Sequence, residues 1–447
     1  MLRQLSVSIT AMSTDSAPAS KVRFRIVGVS MLMAFILYLD RVCLGEIVKS
    51  DSFARDVLLS DTDLGDILGA FFFTYALFQI PTGWASDRFG ARKILTAYIV
   101  LWSLFTALTG FMSTFAGLLA MRLLCGAAEA GAYPTSGAVI RRWIPIHQRA
   151  RASSLVAFGG RLGGALAPAI TTWMVLQLGH WRRPLWIDGV VGVLIASLYW
   201  YVVRDRPEEH PDCNDAERAV IGNPPVEPPV PTREFLAMLA AFCVNRNLWL
   251  NGLGQFSTNV GWAFLVTWLP KYLKREQHVP DETGAFMVTL VLACGMVGQL
   301  AGGWLADLSV QRLGLRWGRV LPLFCSGTLA GCAYLLSLQM DTAWSVVACF
   351  CAVSFFVDLG NPATWAFMQD IGGRATAAAF GWGNMWGNFG AAAIAKTAPM
   401  IVAAGATQQL GQRNVFLVCV GALFLYGFVS LGLDATKPVL KSPVATV

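Results

Sequence analysis

Charge is what this sequence has least of: only 14% of its 447 residues are Asp, Glu, Lys or Arg, against about 25% in soluble domains. That shortage excludes an ordinary soluble globular protein. Metal and disulfide patterns are missing too. The ten cysteines stand singly in apolar segments (Cys43, Cys125, Cys294, Cys325, Cys332, Cys349, Cys351 and Cys419 among them), with no CxxC pair and no Cys/His metal spacing. They read as small hydrophobes. Histidine is rare, and three of the four (His147, His210, His278) fall in expected loops, where solvated surface positions are favoured over catalysis. No nucleophile–base pair, metal cluster or phosphate loop appears, so neither an enzyme nor a bound cofactor nor a nucleic-acid partner is expected.

Apolar residues are what the chain has in excess, at 55%. They recur in long runs such as Ile26–Leu39, Ile94–Met112, Val190–Val203, Val320–Leu338 and Val415–Leu433. Spanning a bilayer takes about 20 such residues. Twelve spanning helices are expected, near 24–47, 62–84, 93–112, 115–140, 151–177, 184–203, 246–271, 283–305, 319–338, 343–368, 376–403 and 413–433. The longest polar stretch, Arg204–Asn245, divides them six and six. It contains the Pro-rich segment Asn223–Pro231, which suits a semi-rigid linker. The expected organisation is a tail (1–23), a six-helix bundle (24–203), the linker (204–245), a second bundle (246–433) and a second tail (434–447). The fold class is therefore all-α membrane protein, with twelve transmembrane helices in two pseudo-symmetric bundles.

Residues 1–20 are polar and lead through Lys21, Arg23 and Arg25 into the first run, as a cytoplasmic tail does and a cleavable signal does not. With both termini in the cytoplasm, most Lys and Arg fall inside, the densest cluster being Arg141, Arg142, Arg149 and Arg151. The first outer loop then holds Glu46, Asp51, Asp56, Asp61, Asp63 and Asp66. A multi-pass protein of the plasma membrane, acting as a monomer in the lipid bilayer, is expected.

The two halves share a motif. Gln79-Ile-Pro-Thr-Gly83-Trp84-Ala-Ser-Asp87 returns as Gln299-Leu-Ala-Gly-Gly303-Trp304-Leu-Ala-Asp307, at the ends of the second and eighth helices. The glycine lets helices approach closely, and the aspartate is placed to meet arginines or a helix N-terminus. The longer run Gly83-Trp84-Ala-Ser-Asp87-Arg88-Phe-Gly90-Ala-Arg92-Lys93 resembles the signature loop of the major facilitator superfamily. That resemblance implies a conformational latch at Gly83, Asp87, Arg88, Gly90, Arg92 and Asp307. Three further stretches are similar to one branch, the anion:cation symporters of sugar acids and organic anions. They are Tyr38-Leu-Asp40-Arg41, Arg204–Pro211 with Asp215-Ala-Glu217, and Trp268-Leu-Pro270-Lys-Tyr272.

A charge at the bilayer centre costs at least about 2.5–3.5 kcal/mol, so buried charges mark pathways or relays. The candidates are Asp40, Arg41, Arg122, Glu129, Arg161, Asp358 and Lys396. At about 1.5 Å per residue, Arg41 and Arg122 both lie roughly 10 Å from the outer ends of their helices. Two guanidinium forks at one depth suit a carboxylate. Glu129 falls about 10 Å deeper than Arg122 by the same rise, with Tyr75 and Gln79 comparable or deeper. Asp40 and Glu129 are natural proton sites: an anion that takes the arginine frees the carboxylate to accept a proton, so the two bind together. The bland alternative is a permanent ion pair, for instance Asp40 with Arg122.

The resemblance implies substrate contacts at Tyr38, Arg41, Tyr75, Gln79 and Arg122, and proton carriage by Asp40 and Glu129. In the eleventh helix, Asn384 and Asn388 present amides at i and i+4, for cargo hydroxyls or for helix–helix contact. Arg161, between glycine pairs in the fifth helix, departs from the family pattern and is either a third site cation or a contact to the fourth helix. Lys396 reads as a snorkelling residue. The expected function is proton-coupled uptake of a small organic anion such as a hexonate, hexuronate or aldarate, with the proton as coupling ion. A drug-type proton antiporter would carry Gly-Pro-x-x-Gly in the fifth helix, where Ala167-Pro168-Ala-Ile-Thr stands. A membrane ligand sensor would need an output domain beyond the short tail after Leu433.

Overall fold

The computed structural model describes residues 18–222 and 227–440. The tail before residue 18, the part of the Pro-rich segment at 223–226 and the last seven residues lie outside the described residues.

Twelve spans cross the molecule. Among the described residues, eight helices are long and apolar enough to cross a membrane by composition. One of them, Asp281–Ser337, is two spans: Gly314 takes φ 74° and ψ 174°, a conformation open to glycine, and reverses the chain between the eighth and ninth. The fifth (Arg149–Leu178), seventh (Arg246–Thr267) and eleventh (Thr376–Ala403) complete the set. These three are less apolar because they carry Arg161, then Asn251, Gln255 and Asn259, then Asn384 and Asn388. The least oily spans are those with polar groups to present inward.

Local chemistry starts and stops the spans. The first, Val22–Ile47, begins where Glu217 accepts the Val22 and Arg23 N–H groups at 2.8 and 3.0 Å. Ser60 and Asp63 form a capping box at the start of the second, Asp61–Phe89. Gly90, at φ 98°, divides it from the third, Ala91–Thr109. Thr114 caps the fourth, which is not one helix but two, Phe115–Glu129 and Ala132–Trp143. The sixth is Arg182–Val202, the tenth Ala343–Ile371 and the twelfth Gln408–Ser430. The linker is more structured than a Pro-rich spacer: it contains helices Asp215–Ile221 and Phe235–Val244.

Within each half the same close approach recurs. A side chain at Gly163 of the fifth span would overlap the Phe35 carbonyl of the first, and one at Gly390 of the eleventh would overlap the Phe256 carbonyl of the seventh. Small residues bring these helix pairs together where no hydrophobic force between helices operates in lipid.

The halves meet on the face that carries the linker. Asp87 accepts the Ala377 and Ala378 N–H groups, at 3.1 and 2.9 Å, at the start of the eleventh span. Asp307 accepts those of Ala150 and Arg151, also 3.1 and 2.9 Å, at the start of the fifth. Each repeat aspartate thus docks on a helix N-terminus of the other half, where free N–H groups and the helix dipole favour an anion. The repeat glycines permit the approach, since a side chain at Gly83 would meet the Ala377 carbonyl and one at Gly303 the Ser154 hydroxyl. Fully buried Arg319 reaches Asp370 at 2.8 Å and Asp307 at 3.4 Å, and Arg149 adds a second bond to Asp370 at 2.7 Å. Arg92 behaves differently: its N–H binds Asp205 and its guanidinium covers Trp200 at 3.9 Å, both within its own half. Among the described residues, no hydrogen bond or ion pair joins the halves nearer the opposite face than Arg161–Asp358.

Candidate functional site

Above this seal, the first, second and fourth spans bring a cluster of charge and aromatic rings together. Arg41 donates from Nε and Nη2 to one oxygen of Glu129, at 3.1 and 2.9 Å. Its guanidinium lies over the rings of Tyr75 (4.4 Å), Tyr38 (4.7 Å) and Phe71 (5.2 Å). Aromatic faces stabilise a cation that water no longer reaches. The depth estimate set Glu129 well below the arginines; the structure sets it against Arg41. The long Arg41 side chain reaches down, and the fourth span breaks directly after Glu129.

Arg122 sits on the other flank of Phe71, 4.7 Å from the ring centroid. It is buried, 5% exposed, yet has no carboxylate partner among the described residues. Its Nε is without a hydrogen bond and its Nη2 makes a long one, 3.5 Å, to the Arg41 carbonyl. The ion pair Asp40–Arg122 is not formed. Both Asp40 oxygens lack hydrogen-bond partners among the described residues, and the acids facing that carboxyl are Glu129 and Asp188.

Gln79 is fully buried with both amide atoms unpartnered. On the eleventh span, Asn388 donates to the Asn384 carbonyl at 2.8 Å, which engages its amide within its own helix. Asn384 keeps Nδ2 free. Lys396 is exposed. Arg161 pairs with Asp358 of the tenth span, and Tyr133 of the fourth faces it as well. Asn361, also on the tenth, donates to Gln299 at 3.1 Å.

Five residues join the cluster without having been singled out in the sequence. Tyr133 packs on Tyr38 and, across the halves, on Trp365, at 6.3 and 4.9 Å between centroids, making an aromatic floor with Phe380. Trp262 lies 4.5 Å from Arg161. Asp188, buried in the sixth span, faces Asp40 and Cys43. The signal for Asp188 was present: it is a charge just ahead of the run counted from Val190. Mid-span aromatics carry no comparable mark, because tryptophan and tyrosine at helix ends look the same in sequence.

Two spanning bundles joined on one face, with one unpaired buried cation and free amides in the cluster among the described residues, fit a membrane transporter and not an enzyme. The chain belongs to the Major Facilitator Superfamily, whose family model matches residues 30–395. It is 31% identical over 432 residues to a probable sulfoacetate transporter of Cupriavidus necator, covering 96% of this chain and 95% of the relative. It is 27% identical to a D-galactonate transporter of Escherichia coli O6:H1, covering 80% and 84%. It is 28% identical to a hexuronate transporter of Bacillus subtilis, covering 79% and 81%. In fold it is similar to FucP in the outward conformation, with TM-score 0.71 at 15% identity, covering 92% of this chain and 99% of that one.

Proposed function

We propose that this transporter carries a small organic anion into the cell by proton-coupled symport with alternating access. The observation that carries the reading is Arg122: a buried guanidinium that forms no ion pair among the described residues, beside a second guanidinium that is paired with Glu129. Leaving a buried charge uncompensated is costly, and an incoming anion removes that cost. The cargo anion takes Arg122 and Arg41 together, beside Tyr38 and Tyr75, and Glu129, deprived of its cation, takes a proton. Asp40, buried beside the acids Glu129 and Asp188 with the Trp102 indole N–H facing it, avoids the same cost by holding a proton. Each partner thereby favours the other, which is coupling in the thermodynamic sense. Asn384 and Gln79, with free amide atoms, are positioned for cargo hydroxyls, and Asn388 supports Asn384.

The names of the relatives support an organic anion: sulfoacetate, D-galactonate and hexuronate carriers. We infer that the linker face is cytoplasmic, since Arg141, Arg142, Arg149 and Arg151 gather there, and that a monomer in the plasma membrane suffices. Gly83, Asp87 and Asp307 then form the cytoplasmic latch of an outward-facing state, with Arg88, Gly90 and Arg92 bracing the loop. Uptake by membrane vesicles under an inward proton gradient tests the reading, screened over sulfoacetate, hexonates, hexuronates and aldarates. Accumulation of at least one is expected. If none accumulates or competes, the reading fails.

A further inference from the structure

Arg161 of the fifth span and Asp358 of the tenth form an ion pair between the two halves, Nη2 to Oδ1 at 2.5 Å. The pair is lopsided: the arginine side chain is 22% exposed and the aspartate 5%. Asp358 is packed beside Gly295 and the Ser354 hydroxyl, so close that a side chain at Gly295 would overlap both. The guanidinium rests 4.5 Å over the Trp262 ring, and the Trp262 Nε1 has no partner. A guanidinium offers five N–H donors. Only Nη2 is engaged among the described residues, so the rest of the fork is free.

This fork is close to the first cluster. Gly160 and Gly164 flank Arg161, and side chains there would lie 3.0 and 3.1 Å from the Tyr38 ring. The same ring carries Arg41 at 4.7 Å. Tyr133 faces both guanidiniums. One tyrosine therefore separates two arginines, each held by a single carboxylate, Glu129 for one and Asp358 for the other.

We propose that Arg161, Trp262 and the displaceable Asp358 form a second anion subsite, so that the preferred cargo is a short organic acid with two anionic groups. This rests on the anion-transport reading above. One group of the dianion takes Arg41 and Arg122; the other takes the free donors of Arg161 and competes with Asp358 for Nη2. Ser354 stands beside Asp358 to receive it. A bond between halves that must part in each cycle is costly to break unless something replaces the lost counter-ion. The second anionic group does so. A monoanion leaves the bridge intact.

The test uses the purified full chain and two matched pairs of probes: galactarate against galactonate, and sulfoacetate against glycolate. Binding is read by titration calorimetry. The wild type binds the dianion of at least one pair tenfold or more tighter than its monoanion. Arg161→Gln weakens that dianion at least tenfold and the monoanion less than threefold. Asp358→Asn, which unmasks Arg161, tightens the dianion. Equal affinity within both pairs, or discrimination that survives Arg161→Gln, overturns the second subsite while leaving anion transport standing. So does a charge-swapped Arg161→Asp/Asp358→Arg variant that binds like the wild type, the mark of a plain structural bridge. Failure of all four probes to bind overturns both readings.

Discussion

Arg41 gives two hydrogen bonds to a single oxygen of Glu129, 3.1 Å from Nε and 2.9 Å from Nη2, while Arg122 beside it forms no ion pair among the described residues. The cluster holds one cation more than its ion pair neutralises. An anion that enters is drawn to that excess cation and displaces Glu129 from Arg41; the carboxylate then takes a proton, so anion and proton together enter with no change in the cluster's net charge.

Arg122 is the residue whose removal separates binding from folding. Arg122→Gln is expected to weaken anion binding at least tenfold, about 1.4 kcal/mol. It should leave the melting temperature unchanged or higher, because an uncompensated buried charge is lost. Calorimetric binding and a thermal melt on the same preparation check this. A melting temperature lowered by several degrees would assign Arg122 a structural role.

Glu129→Gln keeps the shape of the side chain and removes its titration. Accumulation driven by a proton gradient should disappear, while exchange of labelled for unlabelled anion across vesicles persists within a few-fold. Loss of exchange together with accumulation would mean that Glu129 holds the site together rather than carrying the proton.

The repeat aspartates bind two backbone N–H groups each, across the halves. Hydrogen bonds to a charged group are worth about 1.5–3 kcal/mol. Asp87→Asn and Asp307→Asn should each therefore raise the open fraction of the linker face roughly tenfold. Labelling of a Ser153→Cys variant, buried under Gln369 at 2.9 Å in the sealed state, reports that opening in a background without other cysteines. Labelling unaffected by either substitution would deny them a latching role.

The repeat behind this contact was plain in the sequence, since Gly83, Trp84 and Asp87 return at the same spacing as Gly303, Trp304 and Asp307. Its targets were not: nothing local to Ala377 or Ala150 marks a helix start that an aspartate from the other half will cap. Depth counted along a helix placed Arg41 and Arg122 together but separated Glu129 from them. The count treats side chains as points and helices as straight, whereas Arg41 extends downward and the fourth span breaks after Glu129. Arg161 was visible as an anomaly, while its partner Asp358, almost two hundred residues away, becomes visible only when the halves are packed. Asp188 lay two residues ahead of the apolar run Val190–Val203, though inside the expected sixth helix.

Glu217 offers a pH test outside the spans. Burial raises its titration, but the Ser20 hydroxyl, the Arg23 and Val22 N–H groups and the Arg23 charge outweigh it, holding the carboxyl below the ordinary glutamate value. A lowered folded value means the stabilisation is fully present above the unfolded value of about 4.3 and fades as pH falls through the folded one. Glu217→Gln should thus melt several degrees lower than the wild type at pH 7, and the gap should narrow below about pH 4. A gap independent of pH would exclude the carboxylate's charge as the cause.

The most direct measurement follows protons as the anion moves. Purified protein in proteoliposomes, with a pH-sensitive dye outside, is given a transported anion with no gradient imposed. External alkalinisation in step with uptake, absent in Glu129→Gln, is the expected result. Uptake without proton movement, or external acidification as the anion enters, would contradict proton-coupled anion symport.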